Sequence, residues 1–194
     1  SGYDLDNNGE VVSTPGSEAY AGDAFGYGEY PGQYGMVLLS KHPFDREAMR
    51  SFRTFSWHDM PDSAIPEAWY DDDELADMRL SSKTHLDVPV QIGVTSIHVL
   101  ASHPTPPAFG GPENRNKRRN HDEIRFWRDY LSPERSDYIV DDSGTSGGLA
   151  EGEPCVLLGD LNADPNDGGQ RSRRAVSDLI EHPRMTDPAP ASEG

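Results

Sequence analysis

The stretch CVLLGDLNADP, residues 155–165, decides how this chain is read. Val156, Leu157 and Leu158 form a short unbroken apolar run closed by turn-forming residues, the pattern of a strand buried on both faces. Gly159 lets the backbone turn sharply, which puts Asp160 and Asn162 at the strand's mouth, on one side of the chain. A carboxylate and a carboxamide so placed can meet a phosphate, a divalent ion and a water together. The same residue types also make an ordinary Asx turn after a core strand, so the stretch alone leaves both readings open.

Composition narrows the class of molecule. The chain has 194 residues, a length that suits one domain with a real core, although 19 Gly and 16 Pro make it rich in loops. Acidic residues outnumber basic ones by 34 to 17, for a formal net charge of -17. Duplex nucleic acid and anionic membranes repel such a surface unless cations or a local basic patch reverse the field. No run approaches the roughly 20 apolar residues of a membrane span. Cys155 is the single cysteine, so an intrachain disulfide is excluded, and its place in the apolar run predicts a buried thiol.

Outward from residue 155, alternating strand and helix patterns predict an α/β or α+β layered domain. Residues 1–33 read as a long Gly- and Asp-rich loop, and residues 36–39 and 53–57 as short strands. A short helix is expected over 72–80, and a hairpin over 88–92 and 94–101 about Gly93. A helix over 115–131 carries Ile124, Trp127 and Leu131 on one stripe, and a last helix spans 171–181. Residues 184–194 read as a linker-like tail.

Two histidines mark the second informative strand, VTSIHVLASHP, residues 94–104. By strand parity His103 goes with Ile97, Val99 and Ala101, while His98 faces the other way. His98, in mid-strand, suits a hydrogen-bonded core histidine. His103, at the strand's mouth, suits a donor to a phosphoryl oxygen or a general acid or base.

The run GQYGMVLLSKHPF (residues 32–44), a strand ending in SHP, a helix containing NHDEIRFW and then VLLGDLNADP follow one another in that order. This succession resembles the endonuclease/exonuclease/phosphatase superfamily of DNase I-like proteins, whose inner motif of Gly-Asp-x-Asn falls here on Gly159, Asp160, Leu161 and Asn162. The resemblance covers residues 32–165 and, more loosely, the last helix. It implies part of a four-layer α/β/β/α sandwich that hydrolyses phosphoesters with a divalent ion, Mg²⁺ or Mn²⁺, as Lewis acid. Carried over, it implies that Asp160 orients the attacking water and shares the ion, Asn162 holds a phosphate oxygen, and His103 donates to the scissile phosphate.

The departures from that pattern matter as much. The strand-end Asn and metal-binding Glu expected before Tyr34 are not seen in a strand context, and no Ser-Asp-His follows Pro165; His182 has no Asp before it. The chain therefore reads as the central part of such a domain, without its first and last strands. It is expected to be inactive alone and, with sheet edges and faces uncovered, to be prone to self-association.

Three further features carry their own alternatives. DLDNNGEV, residues 4–11, matches a calcium loop at Asp4, Asp6 and Asn8, but Pro15 stands at the twelfth position in place of Glu, so Ca²⁺ competes with a plain Asx-turn loop. NRNKRR, residues 114–119, is either a solvated helix face or a phosphate-steering cluster, with Arg115 as the contact. Lys83 and His85 either line the substrate side or belong to a polar lead-in to a strand. The expected substrate is a phosphorylated small molecule or a phosphodiester, with duplex nucleic acid disfavoured by charge. The alternative is a noncatalytic, calcium-stabilised binding or surface module on the same scaffold. The acidic, cysteine-poor composition leans toward an extracellular or cell-envelope location, with the cytoplasm as the other option.

Overall fold

Eight-residue strands β2 (His85–Ile92) and β3 (Thr95–Ser102) form an antiparallel hairpin about Gly93, which has the positive φ of 65° that such a turn requires. The two-residue strand β1 (Arg50–Ser51) pairs with the outer side of β2, and β4 (Cys155–Leu158) lies parallel to β3. The sheet order is β1-β2-β3-β4. The computed structural model describes residues 1–189; the end of the expected tail, residues 190–194, lies outside the described residues.

The parallel β3–β4 connection passes through α3 (Arg115–Tyr130), which packs against α4 (Gln170–Ile180). Ile124, Phe126, Trp127 and Tyr130 on α3 are fully buried with Phe52, Trp57 and Leu100, and Ala175 and Leu179 of α4 join them. Phe126 and Trp127 meet at an interplanar angle of 81°, and Phe52 meets both Phe126 and Tyr130 edge-on. Polar tips inside this layer are partnered: Trp57 Nε1 donates to Asp122 and Trp127 Nε1 to Ser102 Oγ. Two shorter helices, α1 (Glu18–Gly22) and α2 (Asp72–Asp77), decorate the loops, the latter closed by a reciprocal capping box of Asp71 and Glu74.

The fold class and the order of elements match the sequence reading, with differences of detail. Residues 1–33 are not one loop, because Ser17 caps α1 by accepting from Tyr20 N–H. Residues 36–39 run extended without a ladder; Met36 and Leu38 pack on the sheet while Val37 and Leu39 point outward. The expected strand over 53–57 reduces to a single bridge between Ser56 and Arg79, and its place beside β2 is taken by Arg50–Ser51.

β4 is not buried on both faces: Val156 and Leu158 are 39% and 47% exposed, and Cys155 is only partly buried. The cause is that the helices cover one face of the sheet, and the opposite face carries only Met36, Leu38 and Phe44. The linker-like tail begins later than residue 184, since the Arg184 guanidinium donates to the carbonyls of Leu131, Leu149, Ala150 and Glu153.

Candidate active site and candidate metal centre

Strand ends β3 and β4 meet where Gly159 follows Leu158. Gly159 has φ of 144°, and a Cβ there would stand 1.9 Å from the Ser102 carbonyl oxygen, so only glycine lets the two strand ends close up. The turn then brings Asp160 Oδ2 to 4.0 Å from His103 Nε2. Asp160 Oδ1 accepts from the Asn162 N–H, an Asx turn, and Asn162 Nδ2 donates to the Pro104 carbonyl, so this amide ties the β4 loop to the β3 loop. The Asx turn and the strand-mouth pairing of acid and histidine are thus the same structure.

Lys83 arrives from the loop before β2. Burial and the nearby Arg119 depress its ammonium, while Glu123 and Asp160 oppose them. The His103 ring is also held below its usual value, by burial first and then by Lys83, with Asp160 opposing. His103 is therefore neutral near pH 7 and has one N–H to give. Imidazole, ammonium and carboxylate stand within electrostatic reach of one another at the strand ends.

Helix α3 holds the three loops that deliver these groups. The fully buried Glu123 carboxylate accepts from Ser82 N–H and Oγ through one oxygen and from Thr105 N–H through the other. Burial pushes its carboxyl up, against the opposing pull of Arg119 and those donors. One turn away, Asn120 Nδ2 donates to the carbonyls of Thr105 and Leu161. Glu123 and Asn120 are positioning residues that the sequence reading passed over. Their signal was available as two polar side chains on the inner stripe of an amphipathic helix, a pattern that demands partners.

His85 and Arg115 do not join the site. Strand β2 begins at His85, and strand parity turns its ring under α3, where Nε2 bonds the Glu123 carbonyl and Nδ1 meets Ser81 Oγ. Burial pulls this ring down to about 4, so it is a neutral core residue. Arg115 points away, its guanidinium donating to the Leu5 carbonyl. Arg119 of the same basic cluster is buried and donates to the carbonyls of Leu80, Phe25 and Arg79, which makes it an internal brace and not a solvated face. His98 is hydrogen-bonded to Asp87 at 2.7 Å within the layer, and that bond raises its affinity for a proton.

A second acid cluster forms far from the strand ends in sequence. Asp4, Asp6 and Asp23 bring one carboxylate oxygen each to within 4.8 Å of the others. The third member is Asp23 and not Asn8, whose Oδ1 is turned to the Glu10 N–H. Asp23 is fully buried and shaped by backbone donors, Leu5 N–H on one oxygen and Val12 N–H on the other. Burial, then Asp23 and Asp4, push the Asp6 carboxyl up, against the Asn8 N–H. Three hard oxygen donors in this arrangement fit a divalent cation. At the strand ends the fit is poorer, since Asp160 is the one carboxylate beside His103 and no three-ligand group forms there among the described residues.

Residues 3–191 match the model of the Endonuclease/Exonuclease/phosphatase family. The chain belongs to this family. Comparison with curated proteins and with solved structures gave no match. Membership in the endonuclease/exonuclease/phosphatase family makes the chain part of a phosphoester hydrolase superfamily whose members depend on divalent metal. No helix among the described residues is long and apolar enough to cross a membrane.

Proposed function

We propose that the strand-end site binds the phosphoryl group of a phosphomonoester or phosphodiester, and that Asp160, Asn162 and His103 serve its hydrolysis. The carrying observation is the convergence of His103, Asp160 and Lys83 on loops pinned by one helix. Lys83 supplies a point charge to a phosphate oxygen, and neutral His103 donates its N–H to another. Asn162 fixes the loop, and Asp160 takes a proton from a water between it and the phosphate. A Mg²⁺ or Mn²⁺ ion would supply Lewis acidity, but one carboxylate is a thin ligand set for it, and turnover by this chain alone is expected to be weak.

Calorimetric titration with inorganic phosphate tests the site. Lys83→Ala and His103→Ala should each weaken binding about tenfold, and Asp160→Asn should tighten it by removing a like charge. Binding unchanged in all three variants overturns the reading. Rapid hydrolysis of bis(p-nitrophenyl) phosphate with Mg²⁺, lost in Asp160→Asn, would show that further ligands reach the site.

A second reading is favoured by the Asp4, Asp6 and Asp23 cluster: a calcium-stabilised binding module, in keeping with an extracellular or cell-envelope location. Ca²⁺ should raise the melting temperature of the native chain and leave Asp4→Ala plus Asp6→Ala unchanged. The open apolar face of the sheet further supports self-association through a second copy of the chain.

A further inference from the structure

Next to Lys83 opens a cleft of about 410 Å³, roomy enough for a small ligand, whose walls combine aromatic rings and cations. Tyr27 and Tyr30 form one wall, each 55% exposed, and Tyr34 lies against the Tyr27 ring at 6.3 Å between centroids. Arg53, Arg79 and Lys83 form the other, and no carboxylate lines the cleft although the chain carries a charge of -17. None of these three cations makes an ion pair among the described residues.

The loop that brings the tyrosines is seated hard against the candidate site. A Cβ on Gly26 would stand 1.6 Å from the Ser82 carbonyl oxygen, so a glycine is needed for the loop to close over residue 82. Arg79 stacks its guanidinium over Phe25 at 5.6 Å, and its Nε is buried without a hydrogen-bond partner. Burial, and after it repulsion from Arg53, depress the Arg79 guanidinium, while Asp142 opposes them. An anion between the two arginines would relieve that repulsion.

We propose that this cleft is a nucleotide subsite, in which a base stacks on Tyr27 and Tyr30 while Arg53, Arg79 and Lys83 receive the phosphate side of the ligand. Aromatic walls alone would suit many apolar rings, and cations alone any anion. Their union beside Lys83 selects an aromatic heterocycle that carries phosphate. The inference rests on the phosphoryl-binding reading of the strand ends for its direction, since Lys83 belongs to both, and it names the substrate class of that site: nucleotides or the single-stranded end of a nucleic acid.

The experiment compares adenosine 5′-monophosphate with ribose 5-phosphate by calorimetry on the native chain. The base should add at least about tenfold in affinity, in line with the worth of base-on-aromatic stacking. Tyr27→Ala plus Tyr30→Ala should bring adenosine monophosphate down to the level of ribose 5-phosphate and leave the latter unchanged; Tyr27→Trp should keep the preference. Arg53→Ala should weaken both ligands together. Equal binding of the two ligands, or a preference that survives loss of both tyrosines, overturns the proposal. A base preference that persists while Lys83→Ala, His103→Ala and Asp160→Asn leave inorganic phosphate binding unchanged would keep the cleft and remove the strand-end reading.

Discussion

The two faces of the sheet are built from equally apolar strands and meet different fates. On the helix face, Leu100 and Leu157 lie under Trp127 and Leu179 in a continuous aromatic core. On the other face, Val90, Val99 and Ala101 are covered only by Met36, Leu38 and Phe44, and Val156, Leu158 and Ile92 stand 39%, 47% and 42% exposed. Apolar patterning says that a strand face seeks cover; it does not say which element supplies it. Trp127→Ala should therefore cost about 3–5 kcal/mol, and Val156→Ala less than about 1 kcal/mol. Urea unfolding of both variants checks the contrast. Equal losses would show that the open face is as well packed as the helix face.

Acid should break the helix face by a named route. His85 is neutral in the core with its proton affinity pulled down to about 4, against an ordinary value of 6.5. The unfolded chain binds a proton on this ring below about pH 6.5 and the folded chain does not, so this contribution to stability is full above that pH. It declines as pH falls toward about 4, by on the order of 3 kcal/mol in all. His98 has the opposite sign. Its hydrogen bond to Asp87 raises its affinity for a proton, so its contribution is full below about pH 6.5 and fades as pH climbs through the raised value. Replacing His85 by Gln should flatten the acid limb of a stability-versus-pH curve and leave the alkaline limb; an unchanged acid limb would assign it to carboxylates.

Strand parity and helix periodicity explain what was legible in the sequence. The period-two pattern set β3 and the opposite facings of His98 and His103, and the 3.6-residue stripe set α3. His85 was misread because the strand's start was placed three residues late, which hid its parity with Asp87. Arg119 was misread for a different reason. Its partners are the carbonyls of Leu80, Phe25 and Arg79, irregular backbone that no local pattern announces. The acid cluster lay between: Asp4 and Asp6 stand in a motif, but Asp23 enters through the packing of a distant turn. The Gly159 turn was visible as a motif, and its meaning came from the His103 and Lys83 it faces.

The smallest expected effect on the single chain concerns the open face, and it has the sharpest readout in solution. Burying Val156, Leu158, Ile92 and Ile97 against a second copy would gain roughly 25 cal/mol for each Å² of apolar surface removed from water. Bringing two chains of charge -17 together opposes that gain through a repulsion that salt screens, with a reach of about 10 Å at 0.1 M and about 3 Å at 1 M ionic strength. The balance predicts monomers at low salt and a growing dimer fraction as salt rises, the reverse of what an ion-paired interface would do. Leu158→Lys plus Val156→Lys should abolish the dimer at every salt concentration and shift unfolding stability by no more than about 0.5 kcal/mol, because both side chains already face water. Sedimentation equilibrium checks this directly. A dimer that persists in the lysine variant, or one that dissociates as salt is added, would place the contact elsewhere on the surface and leave the apolar face of the sheet without a role in self-association.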